Sequence, residues 1–243
     1  MKVAVVLPAH NEAGNLTPLV AGLLRAGDAA AMHLQIIVVD DGSVDGTAAE
    51  LAALQASGGG ERLHVVTHPV NRGFAHALRT GIAAARDQNC EAAVFMDSDL
   101  SHRPEDMPRL VAALESGGDV AIGSRFVPGG GMVGVPAWRQ AISRAGNAVG
   151  RAVLGMRVRD LTTGYRAARR GVLDAITLTE DGFTIQLEAV VKAHAAGFRI
   201  VEVPIILSTR KHGTSHMFYS PALFVRYYRL LMKCRGWVRE ARA

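Results

Sequence analysis

Two aspartates two positions apart, Asp97 and Asp99, close an apolar run in VFMDSDLSHRPE and are followed by Ser101 and His102. Like charges this close at a strand end repel unless a cation or hydrogen-bond donors compensate them. A hard divalent ion, magnesium or manganese, does so with one or two carboxylates and takes its remaining ligands from diphosphate oxygens. Two more polar clusters, Asn11 with Glu12 and Asp40 with Asp41, follow other apolar runs. Each alone also fits ordinary turn and cap chemistry, as do Asp45 and Thr47 in DDGSVDGT. Arg125, Arg139 and Arg210 stand beside glycine, aromatic or hydroxyl residues rather than on a charged helical face. Guanidinium forks match phosphate oxygens bidentately, so three in different segments could grip more than one phosphate. Solvated surface charge is the alternative, and it covers most of the 27 lysines and arginines. His76 and His102 read as structural or supporting groups rather than metal ligands.

These residues need a frame. Short β-branched runs (KVAVVL, QIIVVDD, LHVVTH, AAVFMD, DVAIGS) alternate with alanine-rich stretches predicted as helices near Asn15 to Arg25, Thr47 to Gln55, Phe74 to Arg86 and Pro104 to Glu115. Apolar strands separated by helices predict an α/β fold with a parallel sheet covered on both faces, and ligands collect at the carboxyl ends of such strands. The polar clusters fall there, after strands one, two and four, with Arg125 after strand five. The second half is less regular: a mobile loop predicted over Pro128 to Pro136, a helix from about Ala137 to Leu154, and a VEVPIIL strand near Ile200. Gly129, Gly131 and Gly134 form a formal G-x-G-x-x-G, but it does not join a strand to a helix and no acidic residue follows about twenty positions on, so it reads as loop.

With 243 residues, 49% hydrophobic and 20% charged, the chain can bury a full core as one sizeable domain. Cys90 and Cys234 are its only cysteines and lack C-x-x-C partners, which argues against a disulfide framework or zinc site and suits a reducing cytoplasm. The opening MKVAVVLPAHNE reads as a first strand rather than a secretory leader. No uncharged apolar window of about 18 residues exists, so a spanning helix is not expected. The net charge of +5 favours anionic partners such as nucleotide sugars, acidic lipid headgroups or nucleic acid. The final stretch places Leu223, Tyr227, Leu230, Leu231, Cys234 and Val238 on one helical stripe, with Arg226, Arg229 and Lys233 on one side and Arg235 and Arg239 on the other. Such a helix either packs on the domain with snorkelling basic side chains or lies in a membrane interface.

FMDSDLS is similar to the D-x-D of aspartate-nucleophile phosphatases, although Ser101 stands where that pattern has Thr or Val. The ordered set LPAHNE, VVDDGSVDGT, NRGFAHALRTG, MDSDLSHRPE, GSRFVPGG, WRQAISRAGN, DLTTGYRA, GFTIQLE, VEVPI and RKHGTS resembles something more specific. It resembles inverting family-2 glycosyltransferases of the GT-A fold, and within them dolichol-phosphate mannose synthases. The resemblance implies a Rossmann-like three-layer sandwich over 1–219, with a nucleotide-sugar half to about 100 and an acceptor half from about 101, then a basic amphipathic helix over 220–243. It implies that Pro8, His10, Glu12, Val39 and Asp41 hold the donor nucleotide. Asp97, Asp99 and Ser101 would surround magnesium or manganese and the diphosphate, with the Ser98 backbone close by. Arg125, Arg139 and Ser143 would receive the acceptor phosphate, and Arg210 would close over the donor; Asp99 and the three arginines are the expected catalytic set. His216 stands where many relatives have lysine. The implied reaction moves mannose from GDP-mannose, or another sugar from a donor such as UDP-glucose, to dolichyl or polyprenyl phosphate. The implied place is the cytoplasmic membrane face, with peripheral attachment by the last helix or an anchor protein and no nucleic-acid partner.

Overall fold

Alternation within the first strand decides the architecture. In β1 (Lys2–Ala9), Val3, Val5 and Leu7 fall in one core cluster while Ala4 and Val6 fall in the other, all fully buried. A strand apolar on both faces needs a helical layer above and below. The computed structural model, which describes residues 1–59, 61–210 and 221–240, supplies both.

Further strands are β2 (His33–Asp41), β3 (Leu63–His68), β4 (Ala92–Phe95), β5 (Val120–Ser124), β6 (Gly131–Val133), β7 (Arg166–Arg169), β8 (Ile200–Pro204) and β9 (Ile206–Ser208). Helices are α1 (Leu16–Ala29), α2 (Thr47–Leu54), α3 (Phe74–Asp87), α4 (Met107–Glu115), α5 (Ala137–Leu154), α6 (Arg170–Ala175), α7 (Thr184–Ala195) and α8 (Pro221–Glu240). Among the described residues the main sheet runs β3-β2-β1-β4-β7-β5-β8, parallel except for β7, which is antiparallel to β4 and β5. Leu16, Leu19 and Leu23 of α1 and Leu110 and Leu114 of α4 cover one face. Leu78 and Ile82 of α3, Val190 of α7 and Leu230 of α8 belong to the cluster on the other. The result is the expected three-layer sandwich with a mostly parallel sheet. Strand order reverses around β1, since the chain lays β2 and β3 on one side and β4 on the other, and a crevice opens at such a switch point.

Gly81 fits α3 against the sheet: a Cβ there would lie 2.2 Å from Val6 Cγ1. The loop expected over Pro128 to Pro136 instead contains β6, paired in parallel with β9. The VEVPIIL run is two strands rather than one. Pro204 has no N–H to donate, and Ile205 turns the chain by bonding Ser124 O through its N–H and Gly131 N–H through its carbonyl. In α8, Leu230, Leu231, Cys234 and Val238 are buried against the domain, and Tyr227 is half-buried beside Gly150 of α5. The stripe is therefore used for packing, the first of its two readings. The boundary at 219 and 220, and the side chains of Leu223, Arg226 and Arg239, lie outside the described residues.

Candidate active site

Two cavities meet at the carboxyl end of β4. The first, about 380 Å³, lies over the β1–β2 side and is walled by Pro8, His10, Glu12, Asp41, Asn71 and Phe74 among others. The second, about 340 Å³, lies toward α5 and includes Ser101, His102, Arg125, Arg139 and Gln186. Asp97, Asp99, Phe183 and Arg210 belong to both walls. A smaller apolar cavity of about 50 Å³ under the sheet touches the back of Asp97 and is a packing void without converging polar groups.

The acidic turn is built with local strain. Leu100 adopts φ +62°, a left-handed conformation that costs a non-glycine residue about 1–2 kcal/mol. The turn lets Ser101 N–H donate to Asp99 Oδ1 at 2.9 Å. Asn11, after β1, is left-handed too, at φ +56°, and its Oδ1 accepts from Val44 N–H. Both loops at the switch point are thus bent away from relaxed backbone.

The Asp97 carboxyl is pushed up to about 7, first by lost solvation and then by the charge of Asp99, although about a third of its side chain faces the cavity. For Asp99 burial acts in the same direction, but Ser101's hydroxyl and amide, then Arg210, hold it below the ordinary carboxylate range. Arg210 reaches Asp99 Oδ2 at 3.1 Å and Glu12 Oε1 at 3.3 Å. Burial still raises Glu12 despite Arg210 and the hydrogen bond from Asn15. His102 is buried, its ring tilted against Tyr165, 3.8 Å from Asp97 Oδ2 and lowered to about 4 by burial, so the ring is neutral. His76, on α3, lies beside Arg79.

The donor set fits a hard divalent cation. Two carboxylates and a hydroxyl, all oxygen, come from one turn, and one carboxyl is raised by burial and then by the other's charge. Among the described residues no group of three or more His, Cys, Asp and Glu could hold a metal, so the remaining ligands would come from a substrate.

Other expected residues divide. Asp41 is buried, its carboxylate accepting from His68 Nδ1 at 2.6 Å and from the Arg72 and Gly73 N–H groups; it ties the 71–73 loop to the end of β2. His10 bonds the Asp41 carbonyl through Nδ1 at 3.0 Å and lines the first cavity. Ser98 is pinned by its hydroxyl to the Pro8 carbonyl at 2.8 Å, joining β1 to the acidic turn. Val39 is fully buried under α3 and is on neither cavity wall.

Arg125 stands on the wall of the second cavity with an internal partner. Its fork is spent on the buried Asp160, with Nε at 2.7 Å from one oxygen and Nη2 at 2.8 Å from the other, and Nη2 also reaches Thr162. It lines the second cavity, but its bidentate geometry serves the protein. Arg139, over the Trp138 ring at 5.1 Å, lines the same cavity. Ser143, one turn further along α5, is not on that wall. The remainder of the Arg210 loop, including His216, lies outside the described residues.

The DLTTGYRA and GFTIQLE segments hold residues to which local pattern assigns no role. Gly164 passes so close to the acidic pair that a Cβ would meet Asp97 Oδ1 at 2.9 Å and Gln186 Nε2 at 3.0 Å. Arg166 is buried and bonded to the carbonyls of Thr163, Gln186 and Leu161, a cation fixed behind Asp97. Burial lowers it only to about 10, so it stays protonated.

The model of the family described as Glycosyl transferase family 2 matches residues 4–177. The chain is 39% identical over 219 residues to the polyprenol monophosphomannose synthase of Mycolicibacterium smegmatis, covering 89% of this chain and 81% of that protein. It is 38% identical to the undecaprenyl-phosphate mannosyltransferase of Micrococcus luteus, covering 89% and 88%. It is 32% identical to the dolichol-phosphate mannosyltransferase of Pyrococcus furiosus, covering 97% of this chain and 65% of that one. Among solved structures, glucosyl-3-phosphoglycerate synthase from Mycobacterium tuberculosis superposes with a TM-score of 0.72 at 23% identity, over 97% of this chain and 80% of its own; at that identity the likeness establishes the fold.

Proposed function

The chain belongs to glycosyltransferase family 2, and from that premise we propose that it transfers mannose from GDP-mannose to a polyprenyl or dolichyl phosphate, with inversion, at the cytoplasmic face of a membrane. The observation that carries this reading is the meeting of two cavities at Asp97, Asp99 and Arg210, with Arg139 on the far wall of the second. A donor diphosphate in the first cavity and an acceptor phosphate in the second would face each other across that junction. The names of the relatives favour mannose and a polyprenyl phosphate.

An oxygen of the acceptor phosphate attacks the anomeric carbon as the bond to the donor diphosphate breaks, and the electron pair leaves with the diphosphate. A phosphate monoester has a second pKa of about 6 and is already ionised near neutral pH, so no strong general base is required. Arg139 holds the acceptor anion close to the donor and offsets their repulsion. Arg210, poised on Glu12 and Asp99, turns toward the charge that develops on the departing diphosphate. Asp97, Asp99 and Ser101 would hold magnesium or manganese, which supplies Lewis-acid charge to that leaving group. Arg125 and Asp160 keep the second cavity's wall in place.

Peripheral attachment is part of the same reading. No helix among the described residues is long and apolar enough to cross a membrane. On α5, Trp138, Ala141, Ala145, Ala148, Val149 and Ala152 form an exposed apolar stripe beside Arg144 and Arg151. Neighbouring α8 exposes Val225, Tyr228 and Met232 with Arg229 and Arg235. Apolar stripes flanked by arginine suit an anionic headgroup layer.

The test is incubation with undecaprenyl phosphate, magnesium and either GDP-mannose or UDP-glucose, followed by mass spectrometry of the organic phase. Lipid-linked hexose from GDP-mannose is the expected product, and it disappears with EDTA. Hexose from UDP-glucose alone would change the donor; inorganic phosphate without lipid product would revive the phosphatase reading; turnover unaffected by chelation would end the metal's role.

A further inference from the structure

Four side chains belong to both cavity walls, and three of them, Asp97, Asp99 and Arg210, are charged. The fourth is Phe183, and 47% of it is exposed. We infer that the Phe183 ring is the platform for the sugar in transit, stacking on the C–H face of the hexose while Arg210 engages the donor phosphates; the inference rests on the glycosyl-transfer reading above.

A hexosyl group passing between two phosphates must lie at the junction, and before reaction it carries no charge of its own. One face of a pyranose ring carries C–H bonds and is apolar, and carbohydrate-sized ligands are held by apolar or aromatic walls together with a few placed polar groups. Phe183 is the aromatic residue at this boundary, and covering its exposed ring would recover surface that the free protein leaves in water.

The ring is also held ready. It stacks on Phe74 at 4.8 Å between centroids and 27° between planes. Gly182 before it takes φ +60°, which turns the chain into α7. Thr184 Oγ1 donates to the Asp181 carbonyl at 2.6 Å, and Arg79 of α3 reaches the Glu180 carbonyl at 3.1 Å and the Asp181 carboxylate at 3.5 Å. The start of this segment is fastened by Glu188, whose buried carboxylate accepts from the N–H groups of Thr179 and Glu180. A ring backed by Phe74 on a fastened segment loses little freedom when a sugar docks, which preserves affinity.

Calorimetry with GDP-mannose and with GDP separates the sugar contact from the nucleotide contacts, and UDP-glucose with UDP repeats the comparison for another base. Phe183→Ala should weaken the nucleotide sugar about tenfold and leave the nucleoside diphosphate unchanged. Phe183→Tyr should keep wild-type affinity for both, and Phe183→Leu, which retains apolar bulk without a flat face, should resemble Phe183→Ala. Equal losses for sugar-bearing and sugar-free ligands would overturn the inference, as would unchanged affinity or a defect confined to the KM for polyprenyl phosphate. A wild-type protein that binds neither nucleotide sugar would remove the underlying reading and this one with it. Normal wild-type binding with an indifferent Phe183→Ala would overturn the platform alone.

Discussion

Gly164 and Asp97 show how tightly the site is fitted. Because a methyl group at 164 would press on the Asp97 carboxylate, Gly164→Ala should lower transfer by more than about tenfold while the urea midpoint of unfolding moves little, a split that activity and denaturation curves resolve together. Arg125 behaves oppositely. Removing its guanidinium strands the Asp160 carboxylate in the interior, so Arg125→Ala should cost about 3–5 kcal/mol of stability, read from chemical denaturation. Burial would raise Asp160, but the hydrogen bonds and charge of Arg125 outweigh it and hold the carboxyl below its ordinary value. A depressed folded pKa contributes stability above the unfolded value of about 3.9 and loses it as pH falls through the folded one. Asp160→Asn should therefore be less stable than wild type at pH 7, with the gap narrowing below about pH 4. Residues at this scale were legible when their side chains end strands: Asp97, Asp99, Glu12 and Arg210 do meet. Partners across the fold were not, because nothing local announces that the Arg125 fork meets Asp160, 35 residues on, or that Phe183 joins Asp97 and Asp99 on both cavity walls.

At the scale of elements, the first five strands and their helices could be read because β1, β2, β4 and β5 are apolar and buried on both faces and helices alternate with the strands. β7 could not: RAAR carries two arginines, and Arg166 is accommodated only because three carbonyls satisfy it in the interior. α7 lacks a one-sided pattern because Ile185, Leu187, Val190 and Val191 are buried around it together with Gln186 and Glu188, so no polar stripe marks its outline. The β6 and β9 pair joins segments about 75 residues apart, beyond any local signal. α8 carries a prediction of its own. Leu231 is almost wholly buried where α8 meets α5, and Leu231→Ala should destabilise the protein by about 2–5 kcal/mol. Met232→Ala, on the exposed side of the same turn, should leave the unfolding midpoint unchanged.

For the whole molecule, the exposed stripes of α5 and α8 lie on adjacent helices, and the second cavity opens beside the start of α5. Replacing Trp138 and Val149 together by alanine should reduce co-sedimentation with phosphatidylglycerol vesicles severalfold, and raising salt from 50 to 500 mM should weaken wild-type binding as the arginine contribution is screened. Arg139 and Trp138 are consecutive residues of one rigid helix. On the proposed membrane-facing reading, whatever depth the indole takes among the headgroups, the guanidinium would be carried to a matching height within a few ångströms. A lipid phosphate is tethered at its own level by its greasy tail, so α5 would act as a plumb line that brings the enzyme's grip and the lipid's anchor to the same altitude. Lengthening α5 by one residue between them would put that alignment out.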